Sequence, residues 1–181
     1  MKTKLTKEIE QTLVKKYCSG TFKNTYGALE VPIDYTLGRG KENIDFATYN
    51  PSTQDITCFE IKVTKIDFNS KASLSFYGNK NYLVVPLDLG LYLKQNWHNQ
   101  VERQTWTHSN LPLEKVGVLC YVPDINQVPS DLRLKVKDNF LVLINAKHKD
   151  VHLGTKTNLL EGILRAGCRD AEKSYLKGEN L

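Results

Sequence analysis

The sequence predicts one α/β domain in which helices flank a central mixed β-sheet. Residues 55–64 and 81–86 are rich in β-branched and aromatic side chains, a composition typical of buried strands. About 15 residues separate the two runs, which is the length of a crossover between parallel strands. Amphipathic helical patterns near both ends of the chain supply the layers that cover such a sheet.

The length and charge of the chain limit what it can be. Its 181 residues, 40% of them hydrophobic and 25% charged, fit one compact domain and argue against disorder. No apolar run approaches the roughly 20 residues of a membrane-spanning helix, and the charged start of the chain, MKTK, differs from a secretory signal. We therefore expect a cytoplasmic protein that does not bind membranes. The net charge of +5 favours a polyanionic partner.

The cysteines carry little chemical information. They are spaced singly, without a Cys-x-x-Cys pair, as Cys18, Cys58, Cys120 and Cys168. This spacing argues against zinc knuckles and redox motifs. We expect buried or half-buried free thiols in a reducing compartment.

The first half of the chain predicts a helix followed by three strands. Apolar residues recur at helical spacing through residues 6–17, and Thr6 is the expected N-cap. Pro32 marks the first strand as an edge strand or the site of a bulge. The strands are expected at 27–35, 43–49 and 55–64, with turns at 38–41 and 50–53 between them. The second turn predicts a hairpin.

The second half alternates helices and strands. Residues 65–79 are expected to form a helix or helical turn that leads to the strand at 81–86, and a helix and loop are expected over 89–107. Two further apolar strands and a terminal helix are expected at 116–122, 140–146 and 157–176. No internal repeat or linker divides the chain, so we expect residues 1–181 to form a single domain.

The residues most suited to chemistry lie on the strand at 55–64. Side chains alternate along a strand, so Glu60 and Lys62 point to one face while Phe59 and Val63 point to the other. Phe59 and Val63 are expected to face the core. The Glu60 carboxylate and the Lys62 ammonium are then held off the core, about 7 Å apart along a rigid strand.

Asp45 completes the candidate site. It precedes Glu60 by 15 residues, which leaves room for a hairpin that sets the two carboxylates side by side. Paired carboxylates repel each other unless a cation lies between them, and Mg²⁺ binds through one or two carboxylates together with water and phosphate oxygens. Such a metal can polarise a phosphodiester, while Lys62 orients the attacking water or stabilises transition-state charge. The three residues thus suit metal-dependent phosphodiester hydrolysis.

The arrangement resembles the PD-(D/E)xK nuclease superfamily. In both, an aspartate and an E-x-K sequence lie on a hairpin that follows a helix and precedes a crossover and a buried strand; here they are Asp45, Glu60 and Lys62. Ile44 stands where the motif has its first proline. The motif core spans residues 27–86, about a third of the chain.

Within the superfamily, the sequence most resembles the MmcB-type family of DNA repair proteins. The resemblance rests on residues 59–68 (FEIKVTKIDF), Tyr77, residues 81–86 (NYLVVP) and Glu30-Val31. It implies a restriction-endonuclease-like α/β sandwich with DNA as the partner. It also implies a Mg²⁺- or Mn²⁺-dependent endonuclease acting in DNA repair, in recombination, or in a phage or mobile element.

Further residues are candidates for supporting roles. Glu10 is a candidate for an additional acid, because an acid from the first helix is frequent in sites of this superfamily. Glu30, at the start of a predicted strand, is a candidate for a further ligand. The alternative for each is an ordinary surface charge. Four basic residues are candidates for DNA contacts: Arg39, Lys41, Lys65 and Lys71. Arg39 and Lys41 lie in the glycine-containing turn at 38–41, and for Lys65 and Lys71 the alternative is ordinary solubility.

Two other functions stay open at the level of sequence. A nuclease fold without catalysis would bind DNA but not cut it, and a protein-interaction domain would dock a protein partner on its sheet. Only a phosphate-contacting protein loses affinity steeply as salt rises. The sequence also leaves a homodimer open, since many nucleases pair to cut both strands.

Overall fold

The computed structural model describes residues 2–19, 24–33, 42–70, 74–96 and 115–177. The helices are α1 (Lys4–Cys18), α2 (Lys65–Phe68), α3 (Leu87–Gln95) and α4 (Leu153–Lys177). The strands are β1 (Tyr26–Ile33), β2 (Glu42–Asn50), β3 (Asp55–Ile61), β4 (Lys80–Pro86), β5 (Gly117–Tyr121), β6 (Val136–Lys137) and β7 (Phe140–Ile144). Two 3₁₀ turns, Ile125–Gln127 and Arg133–Lys135, lie between β5 and β6.

The seven strands of the described chain form one mixed sheet, in the order β1-β2-β3-β4-β5-β7-β6. Neighbours from β1 to β3 are antiparallel, those from β3 to β5 are parallel, and β7 is antiparallel to both β5 and β6. The predicted hairpin between β2 and β3 and the predicted parallel pairing of β3 with β4 are confirmed. β1 lies at an edge of the sheet, as Pro32 predicts.

Helices cover both faces of the sheet, which confirms the predicted α/β sandwich. α1 packs on one face over an aromatic group, in which the ring centre of Phe59 lies 5.1 Å from that of Tyr17 and 5.8 Å from that of Tyr82. α3 and α4 pack on the opposite face over two separate apolar clusters. α4 buries Leu159 and Ile163 over β1, β2 and β3, while α3 lies over β4, β5 and β7.

The ends of the helices differ from prediction for local reasons. α1 begins at Lys4 because Thr3, not Thr6, is its N-cap, and Thr3 Oγ1 accepts a hydrogen bond from the Thr6 N–H at 3.1 Å. α4 begins at Leu153, earlier than the predicted start at 157. The predicted helix-and-loop segment is helical from Leu87 to Gln95, and residues 97–114 lie outside the described residues.

The crossover after β3 departs most from prediction. β3 ends at Ile61, and shortly after it Val63 and Thr64 form hydrogen bonds with α2. Thr64 is the N-cap of this helix, and Asp67 Oδ2 accepts a hydrogen bond from the Val63 N–H at 3.2 Å. In the described part of the crossover only Lys65–Phe68 is helical. Side-chain hydrogen bonds of this kind compete with regular backbone pairing and favour a single capped turn.

Two expectations drawn from composition can be compared with the structure. None of the four cysteines forms a disulfide, and burial raises the pKa of Cys58 and of Cys120 to about 12. Cys168 is exposed, contrary to the expectation of buried or half-buried thiols, because it lies on the outer side of α4. Among the described residues, no helix has both the length and the apolar character needed to cross a membrane.

Gly162 and Gly167 test how closely α4 packs on the sheet. A Cβ at Gly162 would lie 2.4 Å from the Pro32 carbonyl oxygen, whereas a Cβ at Gly167 would meet nothing within 4 Å. We expect Gly162→Ala to lower the free energy of unfolding by about 1–3 kcal/mol through overpacking. Gly167→Ala should raise it by about 0.5–1 kcal/mol through helix propensity. Urea denaturation measures both changes, and losses of equal size would contradict the close approach of α4 to β1.

Candidate functional site

Asp45, Glu60 and Lys62 come together where β2 separates from β3. The antiparallel ladder between the two strands ends at the pair Phe46–Phe59, and one further step along the same register sets Asp45 opposite Glu60. There the Asp45 side chain takes the place of a ladder carbonyl, since its Oδ2 accepts a hydrogen bond from the Ile61 N–H at 2.7 Å. The Asp45 carboxylate is therefore fixed beside Glu60 by the backbone of β3.

The alternation of side chains along β2 breaks at Asp45. Ile44 and Ala47 both pack in the cluster under α4, whereas Phe46 packs under α1 on the opposite face. In a regular strand Ile44 and Phe46 would share a face, because side chains two residues apart point the same way. The break frees the Asp45 side chain from both clusters and directs it to β3.

β1 carries a matching irregularity at Glu30. Ala28 and Val31 pack under α4 while Leu29 packs under α1, and the β1–β2 ladder omits the pair Glu30 and Asp45. Glu30 has a φ of 50°, a left-handed conformation that costs a non-glycine residue about 1–3 kcal/mol. Arg169 of α4 holds this backbone, because its guanidinium donates to the carbonyl oxygens of Leu29 at 2.9 Å and Glu30 at 3.2 Å.

Glu60 is buried between the two apolar clusters of the α3–α4 face, with 3% of its surface exposed. Cys58, on the same face of β3, belongs to the cluster under α4, and Leu83, its neighbour on β4, belongs to the cluster under α3. The Ser75 N–H donates a hydrogen bond to the Glu60 carboxylate. Glu60 Oε1 accepts none from any described residue, so one oxygen of a buried carboxylate is unsatisfied.

Both carboxylates ionise less readily than exposed acids. Burial raises the pKa of Glu60 well above its ordinary value, and the negative charge of Asp45 raises it further. Burial also raises the pKa of Asp45 to about 6, although the hydrogen bond from Ile61 and the Lys62 ammonium oppose this shift. Acids perturbed by burial together with a charged neighbour are typical of functional sites.

Lys62 lies on the same face as Glu60, as the alternation of β3 predicts. Its N–H donates to the Val84 carbonyl at 3.0 Å, which extends the pairing of β3 with β4 by one residue. Its ammonium lies 3.8 Å from Asp67 Oδ1. The expectation that Glu60 and Lys62 lie outside the core is wrong: Lys62 is 7% exposed, because this face of β3 is covered by the clusters under both helices.

A network that sequence analysis did not identify surrounds Glu60. Ser75 donates its N–H to Glu60 and its hydroxyl to Glu42 Oε2 at 3.2 Å, and the Tyr77 hydroxyl donates to the same oxygen at 3.2 Å. Tyr77 lies in the stretch that resembles the nuclease family. Ser75 and Glu42 carry no signal in the sequence, since the hydrogen bond between them joins residues 33 positions apart.

Glu10 and Glu30 share one cation. The Lys2 ammonium forms ion pairs with both carboxylates, and its charge also lowers the pKa of Asp45. Glu10 is 7% exposed, so its alternative interpretation as a helix-surface charge is wrong: α1 turns this side chain toward Lys2 and β1. The side chain of Glu30 is 33% exposed, and its negative charge raises the pKa of Asp45.

The predicted DNA contacts are only partly covered by the structure. Lys65 is described, and its ammonium lies 3.4 Å from the centre of the Tyr92 ring, a cation–π contact. Arg39, Lys41 and Lys71 lie outside the described residues.

The chemistry of Asp45 and Glu60 fits a divalent cation. Within the described ranges, no three or more His, Cys, Asp and Glu side chains are grouped as a metal site. Mg²⁺ in proteins is commonly held by one or two carboxylates, with water and phosphate oxygens as its other ligands. No described residue donates to Oε1 of Glu60, and such a cation would satisfy this oxygen.

Comparison with known proteins supports the fold alone. No family model and no curated protein matches the chain. A solved structure of a protein of unknown function from Silicibacter pomeroyi is similar, with a TM-score of 0.52 and 10% sequence identity over 87% of this chain and 84% of that one. The chain is thus an α/β sandwich protein with two carboxylates and a lysine at a break between two strands.

The raised pKa of Asp45 predicts a pH-dependent stability. Folding raises this pKa from 3.8 to about 6, so the folded state holds a proton that the unfolded state releases between these values. The free energy of unfolding should therefore fall by roughly 1–3 kcal/mol as pH rises from about 4 to about 6. Asp45→Asn, whose side-chain oxygen can still accept from Ile61, should lack this component.

Urea denaturation at several pH values in EDTA measures the difference between wild type and Asp45→Asn. Asp131→Asn, a change at an exposed turn residue, serves as the control and should follow wild type. A difference between wild type and Asp45→Asn that stays constant with pH would show that Asp45 keeps an ordinary pKa.

Proposed function

We propose that this chain is a metal-dependent nuclease of the PD-(D/E)xK type that hydrolyses phosphodiester bonds in DNA. The observation that carries the proposal is the buried Glu60 carboxylate, with an oxygen that no described residue satisfies, beside the partly buried carboxylate of Asp45. Buried charge without compensation is costly. A divalent cation compensates both carboxylates at once, and it is the cofactor of this type of nuclease.

Each of the three residues has a distinct role in the proposal. Asp45 and Glu60 hold Mg²⁺ or Mn²⁺. The bound metal supplies Lewis-acid polarisation of the scissile phosphate. Lys62 places a positive charge beside the reacting phosphate, where it orients the attacking water or stabilises developing negative charge. Asp67 positions Lys62, since its carboxylate lies 3.8 Å from the ammonium.

Glu10 and Glu30 are assigned a supporting role. Both are held by Lys2, so a cation could reach them only by displacing that ammonium. The proposal therefore keeps Asp45 and Glu60 as the metal ligands. Glu30 acts through the field of its charge on Asp45, and Glu10 acts by holding Lys2, the ammonium that it shares with Glu30.

DNA is the proposed partner because the net charge of +5 favours a polyanion and because the sequence resembles DNA repair proteins. A role in repair, recombination or a mobile element, and a cytoplasmic location, stay predictions from the sequence. Contacts to DNA are proposed for Arg39, Lys41, Lys65 and Lys71.

Cleavage of labelled single-stranded, duplex and branched DNA with Mg²⁺ or Mn²⁺ tests the proposal. Wild type should cleave at least one substrate. Glu60→Gln and Lys62→Met should each lose at least about 100-fold in rate, because the first removes a ligand of the metal and the second removes the positive charge beside the reacting phosphate. These variants keep the size of the buried side chains. Glu8→Gln and Lys4→Met, at side chains that are 42% and 93% exposed, are the matched controls and should cleave like wild type.

The other outcomes favour other functions. Cleavage by all variants alike would place the activity at another site or in a contaminant. DNA binding that weakens with salt, without cleavage, would favour the non-catalytic DNA-binding module. Neither cleavage nor binding would favour the protein-interaction domain.

Metal binding can be tested without a substrate. Saturating Mg²⁺ should raise the Tm of wild type by about 2–5 °C, because it binds only the folded site. In EDTA, Glu60→Gln should melt above wild type, since it removes a buried charge that lacks a partner on one oxygen. It should also lose the response to Mg²⁺, while Glu8→Gln keeps it. An undiminished Mg²⁺ response in Glu60→Gln would place the cation elsewhere.

A further inference from the structure

A short stretch before β4, residues 74–78, crosses the α3–α4 face of β3 at Glu60; we call it the covering segment. Leu74 and Phe76 are buried in the cluster under α3, and Tyr77 packs against the cluster under α4. The covering segment therefore passes from one cluster to the other at the point where Glu60 lies between them.

The backbone of the covering segment lies directly on β3. The Ser75 N–H donates a hydrogen bond to the Glu60 carboxylate, and the Tyr77 N–H donates one to the Cys58 sulfur. A Cβ at Gly78 would lie only 2.9 Å from the same sulfur. Two successive side chains on this face of β3 thus bind N–H groups of the covering segment, and the donor to Glu60 belongs to a stretch of chain in close contact with the strand.

Glu42 ties the covering segment to β2. Its Oε2 accepts hydrogen bonds from the hydroxyls of Ser75 and Tyr77, each at 3.2 Å. Ser75 is 3% exposed, so its hydroxyl depends on this carboxylate for a partner. Ser75 therefore binds two acids at once: its hydroxyl holds it to Glu42, and its N–H is directed to Glu60.

We propose that Glu42 and Tyr77 are positioning residues, which hold Ser75 so that its N–H binds one oxygen of Glu60 and leaves Oε1 to the divalent cation. This role rests on the proposed function. Groups that bind the ligands of a metal fix the orientation of those ligands, and their loss typically lowers metal affinity about 10–100-fold. Glu42 acts in this role as a hydrogen-bond acceptor, so its oxygen matters and its charge does not.

Binding of Mn²⁺ to the full chain, followed by the EPR signal of the free ion, tests the proposal without a substrate. Tyr77→Phe removes one of the two hydroxyl donors and should raise the dissociation constant about 3–10-fold, while Glu42→Ala removes the acceptor of both and should raise it about 10–100-fold. Glu42→Gln keeps an oxygen that accepts both hydroxyls, so it should bind within about 3-fold of wild type. Tyr49→Phe is the matched control: Tyr49 packs against the same cluster as Tyr77, and this variant should bind like wild type.

Cleavage assays give a second measure of the positioning role. In Tyr77→Phe the Mg²⁺ concentration for half-maximal rate should rise by the same factor as the Mn²⁺ dissociation constant, while the rate at saturating Mg²⁺ is kept. A loss of rate that saturating Mg²⁺ does not restore would contradict a role through the metal ligand.

The outcomes separate this proposal from the proposed function. A wild type that binds no Mn²⁺ would overturn the metal site itself, and the positioning role with it. If wild type binds Mn²⁺ and Glu60→Gln does not, equal affinity in wild type, Tyr77→Phe and Glu42→Ala would overturn the positioning role alone. A loss in Glu42→Gln as large as that in Glu42→Ala would also overturn it, because the charge of Glu42 would then be what the cation needs.

Discussion

The hydrogen bond from the Ile61 N–H to Asp45 Oδ2, 2.7 Å long, is the interaction on which the candidate site depends. A neighbouring strand normally satisfies such an N–H with a carbonyl oxygen. Here β2 leaves β3 after Phe46, and an anionic side chain takes the carbonyl's place, which strengthens the bond because its acceptor is charged. The opening lets a carboxylate stand beside Glu60 at the centre of a covered sheet. On the other side of β2, strand β1 is irregular at the same level, where Glu30 adopts a left-handed conformation.

Burial makes this arrangement expensive for stability. β3 lies inside the sheet with both faces covered, so Glu60 is desolvated and keeps one oxygen without a donor among the described residues. Replacing a buried charged group by an apolar residue of similar size is often neutral or stabilising. Packing alone therefore gives no reason for an acid at this position. The left-handed backbone of Glu30 is a second feature that lowers stability. Such a conformation persists in a non-glycine residue only where the surrounding structure enforces it, and here Arg169 holds the backbone through its hydrogen bond to the Glu30 carbonyl.

The predictable part of the site is the part that depends on strand alternation. The period of two holds along β3, so the faces of Phe59, Glu60 and Lys62 follow from the sequence. The same rule fails on β2, where Ile44 and Phe46 face opposite sides because the strand is irregular between them. The burial of Glu60 could not be predicted, since the chain that covers it comes from β4, α3, α4 and the segment before β4. Pairings such as the one between Lys2 and Glu10 likewise depend on how the N-terminus folds back on α1.

The charges around the break in the sheet do not balance. Among the described residues, two ammonium groups, those of Lys2 and Lys62, face six carboxylates: Glu10, Glu30, Glu42, Asp45, Glu60 and Asp67. Lys2 is shared by two acids, and Lys62 is 3.8 Å from Asp67 while its charge also acts on Asp45 and Glu60. A network kept for stability would satisfy its buried oxygens. This network does not: the shortage of positive charge and the lack of a described partner for Glu60 Oε1 both occur at the break between β2 and β3. The proposed divalent cation between Asp45 and Glu60 would supply two of the missing positive charges and a partner for Oε1, which favours a ligand over a structural role as the reason these acids are there.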